Sequence, residues 1–319
     1  MAPAKEASVT TKIFIDGEAG TTGLEIREKL GGAPGIELVS IDPDRRKDPG
    51  AKTELLASVD IAVLCLPDDA AREAAAIIAS LGEDGPRVLD ASTAHRTDPD
   101  WVFGFPELEA GQPARIAAAA RVSNPGCYST GAIALLRPLV DAGLVPPDHP
   151  LSINAVSGYS GGGRSMIEAY EADRAPPFDL YGLGLNHKHL PEIAAYARLS
   201  RPPIFAPSVG DFRQGMVVCV PLHLDTLPGR PKAADLEAAL RARYGDATFV
   251  RVVPPDPKGR IDPTVLNHTN QMELSVYGND AKRQVVLVAR LDNLGKGASG
   301  AAVQNLELMA GVTKDGASS

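Results

Sequence analysis

The run "KIFIDGEAGTTGLEIREKL", Lys12 to Leu30, restricts the fold more than any other stretch of the chain. A short apolar segment, Lys12 to Asp16, is followed by glycines at 17, 20 and 23. Leu24, Ile26 and Leu30 then continue at helical spacing. A strand, a glycine turn and a helix in that order open a βαβ unit. The alternation continues. "GIELVSID" reads as a second strand ending at Asp42, and "SVDIAVLCLPDDAAREAAAIIASL" as a strand, a turn at Pro67 and an Ala-rich helix. "PRVLDAS" reads as a further strand. Strands and helices alternating at this pace predict a parallel sheet, and the unbroken apolar run Ile61 to Leu66 suits a strand covered on both faces.

The pattern changes after Cys127. "YSTGAIALLRPLVDAG" reads as a helix ended by Gly143. Beyond it, "GMVVCVPLHL", "ATFVRVV", "NQMELSVYG" and "RQVVLVARLDN" read as longer strands that outnumber the helices. That half is expected to be α+β on a mixed or antiparallel sheet. The last element, "GASGAAVQNLELMAGV", is helical again. The predicted division is residues 12–126 with a returning helix 297–313 as one domain and 127–296 as the other, with flexible tails at 1–11 and 314–319.

At the first strand-to-helix turn, Gly17, Gly20 and Gly23, with Thr21 and Thr22 between them, let backbone N–H groups approach a pyrophosphate at the positive end of a helix. The spacing is G-x-x-G-x-x-G rather than G-x-G-x-x-G, so a bare tight turn stays open as the alternative. Asp42 would suit the ribose hydroxyls of NAD, whereas Arg45 and Arg46 would suit the 2′-phosphate of NADP. The two arginines favour NADP(H); a solvated loop of mixed charge is the other reading.

Of three cysteines, Cys65 and Cys219 lie inside apolar runs and read as core. Cys127 follows Asn124-Pro125-Gly126 at the start of a helix, where unpaired N–H groups favour a thiolate. Small neighbours, Gly126, Ser129 and Gly131, leave room for a substrate, so Cys127 reads as a nucleophile. An acid/base is sought among six histidines. In "LNHKHLPEIAAYARL", His189 and Glu192 share a helix face at i, i+3, and His187 diverges from them if its segment is extended. A metal pair is the alternative for the two histidines; no third ligand is evident, and no metal is expected.

A net charge of −8 disfavours a nucleic-acid partner, and no apolar run has the length to cross a bilayer or the placement of a signal peptide. Sparse cysteines suit a cytoplasmic protein.

"GEAGTTG", "ASTAHR", "FGFPEL", "SNPGCYSTGAIALL", "SGYSGGGR", "NHKHLPEI" and "DNLGKGASGAAVQNL" occur in this order. Together they resemble the N-acetyl-gamma-glutamyl-phosphate reductase family, in its compact type 2 branch, over about Lys12 to Val312. The resemblance implies an α/β Rossmann nucleotide-binding domain plus an α+β dehydrogenase and dimerisation domain with a mixed sheet, as in aspartate-semialdehyde dehydrogenase. It implies NADPH-dependent reduction of N-acetyl-L-glutamyl 5-phosphate to the 5-semialdehyde, in arginine biosynthesis. Cys127 falls on the family's nucleophile and His189 on its acid/base, with His187 and Glu192 beside the substrate. Asn293 and Lys296 are implied at the nicotinamide, and Ser92, Ser157, Gly158 and Gly161 along the cofactor. Arg96 and Arg164 are the candidates for the leaving phosphate; Arg164 suits the substrate carboxylate equally, and Arg96 a salt bridge. A homo-oligomer, a tetramer, is implied. The rivals are a phosphorylating dehydrogenase of aspartyl phosphate, a lysine-pathway cousin acting on a carrier-bound substrate, and an inactive NADP-binding regulator.

Overall fold

The computed structural model describes residues 10–45 and 48–312. These divide into two compact units. One holds the described residues through Gly104, Ala114–Asn124 and those from Ala302 on; the other holds Phe105–Pro113 and Pro125–Ala301.

The first unit runs β1 (Thr11–Asp16), α1 (Thr21–Leu30), β2 (Ile36–Val39), α2 (Pro49–Leu56), β3 (Ile61–Leu64), α3 (Asp68–Ser80), β4 (Arg87–Asp90), β5 (Val102–Phe103), α4 (Gln112–Ala118, begun in the second unit) and β6 (Arg121–Ser123). The sheet order is β2-β1-β3-β4-β6-β5, parallel throughout. The strand order reverses at β1, so the carboxyl ends of β1 and β3 border the crevice where such sheets receive nucleotides. Both faces are covered, as the apolar run at Ile61 requires. Ile13, Ile15, Ile61, Val63 and Leu89 pack with α1 on one face; Phe14, Ala62, Leu64 and Val88 pack with α3 on the other. Ala302, Val303, Leu306 and Met309 of the last helix complete the first of these clusters.

The second unit opens with α5 (Cys127–Asp141) and continues β7 (Ser152–Gly158), α6 (Arg164–Glu171), β8 (Phe178–Leu180), α7 (Leu190–Tyr196), β9 (Ile204–Gly210), β10 (Met216–His223), α8 (Ala233–Tyr244), β11 (Val250–Val252), β12 (Met272–Asn279) and β13 (Gln284–Leu291). Its sheet order is β11-β12-β13-β10-β7-β9-β8. It is mixed: β7 with β9 and β11 with β12 are parallel, the other pairs antiparallel. The buried helix α5 lies on β10 and β13. Gly131 permits the approach, because a Cβ there would stand 2.9 Å from Val218 Cγ2. Gly143, at φ +68, follows the helix as its stop.

The structure differs from the sequence reading in four places, the first being that residues 125–126 and 297–301 go with the second unit. Strand β2 ends at Val39, three residues before Asp42. Residues 105–113 go with the second unit, where Lys296 and Arg137 bind Glu107 and Glu109 and Arg243 binds the carbonyl of Leu108. The last helix, α9 (Gly300–Ala310), is preceded by a π-type turn over Gly295–Ser299.

Candidate active site

Cys127 is the first residue of α5, and Gly126 caps the helix with extended backbone and no side chain. The first N–H groups of a helix have no partner within it. One group just before them is fixed from outside: Gly126 N–H donates to Glu192 Oε2 at 3.1 Å. Gly297 flanks the thiol residue. A Cβ at 297 would lie 2.9 Å from Cys127 Cβ and 3.1 Å from the carbonyl oxygen of Asp292. Gly295 and Gly300 are equally confined, against Thr269 O and Asn270 Oδ1, which explains the glycine-rich π-type turn. The three cysteines form no disulfide. Burial pushes the Cys65 thiol up to about 12, Asp90 and Asp16 adding to it, and burial raises Cys219 as well.

The second cluster comes from the turn ahead of α7. His189, 4% exposed, holds Nε2 4.0 Å from Glu192 Oε1. Glu192, 1% exposed, therefore faces the imidazole with one oxygen and the Gly126 N–H with the other. His187 does not diverge. Residues 187–189 turn instead of extending, His189 N–H donates to His187 Nδ1 at 3.1 Å, and the two rings meet edge to face at 4.7 Å. Accepting at Nδ1 leaves Nε2 as the proton-bearing atom of a neutral His187. Tyr128 lies 6.1 Å from the His187 ring and 5.9 Å from the His189 ring. Its hydroxyl donates to Ser208 O at 2.9 Å and accepts from Tyr181 at 3.4 Å. Burial, with the charge of Cys127 adding, raises both phenols, Tyr181 to about 12 and Tyr128 further, so both stay protonated near neutral pH. The sequence reading missed both tyrosines; one directly follows Cys127, and helix position alone makes it a packing residue.

The other expected residues of this unit are placed unequally. Asn293 is buried with both ends of its amide engaged: Oδ1 accepts from Gly215 N–H at 2.8 Å and Nδ2 donates to Ser160 Oγ at 2.9 Å. Ser157 Oγ donates to Gly158 O at 2.9 Å. Gly158 abuts the backbone of Arg213 and Gln214, and Gly161 abuts Ser157 Oγ. Lys296 is fully buried, with Nζ 2.8 Å from both oxygens of Glu107 and about equally far from the rings of Phe105 and Phe249, 5.6 and 5.5 Å. Burial lowers its pKa and Glu107 opposes the shift. This lysine is a structural ion pair within its unit. Its partner lies 189 residues away, which no local pattern announces. Arg164 is exposed and paired with Glu168 at 2.9 Å.

In the first unit two glycines of the loop are confined by neighbouring backbone. Gly17 takes φ +93 against the carbonyl of Cys65, where a Cβ would stand 2.3 Å from the oxygen. Gly23 passes the Gly17 carbonyl, with 2.4 Å for a Cβ. Gly20 caps α1 without a side-chain bond, and Thr21 and Thr22 open the helix. A strand, a turn whose glycines permit close backbone approaches, and a helix start fit a dinucleotide phosphate. Arg45 is engaged by Asp48 at 3.1 Å and Glu54 at 3.3 Å, and Arg46 lies outside the described residues. Asp42 Oδ1 accepts from Asp44 N–H at 3.0 Å. Ser92 gives N–H and Oγ–H to the two oxygens of buried Asp90, each at 2.8 Å. His95 Nδ1 lies 2.6 Å from Asp90 Oδ2, and its ring stacks on Trp101. Arg96 is buried and its Nε donates to the carbonyl of Asn124 at 3.0 Å. Among the described residues no cluster of His, Cys, Asp and Glu is placed to hold a metal ion.

Two family models match the chain: the semialdehyde dehydrogenase NAD binding domain over residues 37–117, and the semialdehyde dehydrogenase dimerisation domain over 127–293. Solved structures agree in fold. Aspartate semialdehyde dehydrogenase II of Vibrio cholerae superposes with a TM-score of 0.71 at 16% identity, covering 94% of this chain and 98% of that one. The Francisella tularensis enzyme gives 0.72 at 12%, covering 94% and 100%. The fold and the two matched halves define an NAD(P)-binding oxidoreductase of the semialdehyde dehydrogenase class. Within that class, the N-acetyl-gamma-glutamyl-phosphate reductase of Chelativorans sp. is 56% identical over 308 residues, 94% of this chain and 98% of its own. The reductase 2 of Pseudomonas putida is 53% identical over 308 residues, 95% and 97%. The chain belongs to the N-acetyl-gamma-glutamyl-phosphate reductase family. No helix among the described residues is long and apolar enough to cross a membrane.

Proposed function

We propose that this chain reduces N-acetyl-L-glutamyl 5-phosphate to N-acetyl-L-glutamate 5-semialdehyde with NADPH, releasing phosphate, as a step of arginine biosynthesis in the cytoplasm. The observation that carries the reading is Glu192, whose two oxygens face His189 and the N–H preceding Cys127. It ties the acid/base candidate to the nucleophile's helix. The Cys127 sulfur attacks the acyl carbon, and the C–O bond to phosphate breaks to leave a thioester. Backbone N–H groups at the start of α5 stabilise the oxyanion on the way. A bound NADPH supplies the hydride that reduces the thioester. His189 donates a proton to the resulting oxyanion and takes it back as the C–S bond breaks, so that the aldehyde is released and the thiolate returned. Tyr128 and Tyr181 stay protonated and spend their hydroxyl protons on Ser208 O and on the Tyr128 hydroxyl, so they add no negative charge to the site. Arg96 and Arg164 remain the cations proposed for phosphate and carboxylate.

A second copy of the chain is the proposed partner. Of eight exposed large apolar side chains among the described residues, five fall between 178 and 204: Phe178, Leu180, Leu183, Leu185 and Ile204. They follow edge strand β8, the loop after it and the start of β9, and an apolar sheet edge of this kind pairs with another chain. Light scattering would show a multimer, and Phe178→Lys with Leu183→Lys would reduce it. For the reaction, NADPH oxidation measured with N-acetylglutamyl phosphate and with aspartyl phosphate decides the substrate. Turnover on aspartyl phosphate alone would overturn the proposal.

A further inference from the structure

Three side chains close a triangle at the carboxyl end of β2. Ser40, the residue after that strand, donates Oγ–H to Glu18 Oε2 at 2.9 Å. Arg27, on α1, sends Nη1 to Ser40 Oγ at 2.7 Å and to Glu18 Oε2 at 2.8 Å. Glu18 itself belongs to the glycine loop. In an open parallel sheet the adenosine ribose lies beyond the end of this strand. An acid there binds its hydroxyls, and an arginine accommodates a 2′-phosphate. The triangle contains one of each. The neighbouring cation, Arg45, is paired with Asp48 and Glu54 and lines one pocket with Ser40, Ile41 and Asp42.

We propose that Arg27 and Ser40 receive the 2′-phosphate of the cofactor and that Glu18 competes with it, so that Glu18 sets the preference between NADP(H) and NAD(H). The inference rests on the nucleotide reading of the glycine loop. Its chemistry is exchange of one acceptor for another. The guanidinium and the hydroxyl now satisfy a carboxylate oxygen; a phosphate oxygen presents the same acceptor with more charge. Glu18 and a phosphate dianion cannot share those donors without like-charge repulsion, so the carboxylate gives way when the phosphate binds. With a plain ribose the triangle stays closed and the carboxylate can accept from the 2′-hydroxyl.

The test is calorimetric titration of the whole protein with 2′-phospho-ADP-ribose and with ADP-ribose, neither of which undergoes hydride transfer. Arg27→Gln should weaken the phosphorylated probe about ten- to hundredfold, the range of a charge-assisted contact, and change ADP-ribose by less than about twofold. Arg27→Lys should keep part of the preference, which separates loss of charge from loss of fold. Glu18→Gln should tighten the phosphorylated probe several-fold and leave ADP-ribose equal or weaker. Arg45→Ala should leave the ratio of the two affinities unchanged. Equal weakening of both probes by Arg27→Gln, or loss of the preference in Arg45→Ala, overturns the assignment. If the unaltered protein binds neither probe, the nucleotide reading falls and this inference with it.

Discussion

The thiols are separated by their surroundings. Burial raises Cys65 to about 12 and raises Cys219, so near pH 8 both are almost wholly protonated and slow to alkylate. Cys127 opens a helix beside glycines. Iodoacetamide is therefore expected to modify Cys127 first, as peptide mapping would show. Cys127→Ser should keep cofactor binding and abolish turnover, because an alkoxide is scarce at neutral pH. A serine variant turning over at the parent rate would remove the covalent step. For the histidines, His189→Asn is expected to slow hydride transfer by about 10²–10⁴ with little change in substrate affinity. His187 accepts the His189 N–H and packs against Tyr128 and Phe205, so His187→Asn should act through placement and show a smaller effect. Pre-steady-state NADPH oxidation over a range of pH compares them. If hydride transfer slows more in His187→Asn than in His189→Asn, the roles are reversed.

At the scale of elements, what was readable in the sequence was what is local. Ile13, Phe14 and Ile15 alternate between two cores, and Gly17 fixes the turn after β1, so the βαβ start follows from its residues. The helix start at Cys127 was readable because Pro125 and Gly126 interrupt the chain just before it. Lys296 was not: its meaning depends on Glu107, and a buried lysine and a cofactor lysine look alike in sequence. The sequence did not show the partners of Arg45 either: the candidate phosphate clamp is paired with Asp48 and Glu54 at the surface. Two predictions belong here. Lys296→Met should cost about 3–5 kcal/mol by removing the buried cation that faces both oxygens of Glu107, and adding Glu107→Leu should recover much of it. Denaturant titrations of the single and double variants would show this, and equal losses would mean the pair does not act as one. Gly297→Ala places a methyl 2.9 Å from Cys127 Cβ. Overpacking of this kind costs about 1–3 kcal/mol, and displacement of the thiol should lower kcat more than it raises KM.

At the scale of the molecule, neither unit is a continuous piece of chain. The polypeptide leaves the first unit at Asn124 and returns to it at Ala302. The nucleotide-binding sheet therefore lacks part of one core until the last helix is in place. Leu306, fully buried, packs with Ile13, Ile15 and Val122, and Asn305 Nδ2 donates to Gly104 O at 2.8 Å and to Asn124 Oδ1 at 3.1 Å. The glycine loop follows the strand that this helix supports. Leu306→Ala should then cost about 2–5 kcal/mol, the range for emptying a buried leucine site. A ligand that binds only the folded first unit restores part of the loss by mass action, about 2.7 kcal/mol at a hundredfold excess over Kd. The expected outcome is a lowered melting temperature for Leu306→Ala that NADP raises, together with weaker NADP binding in the unliganded variant. A variant that melts and binds NADP as the parent does would show that the returning helix is dispensable to the nucleotide unit.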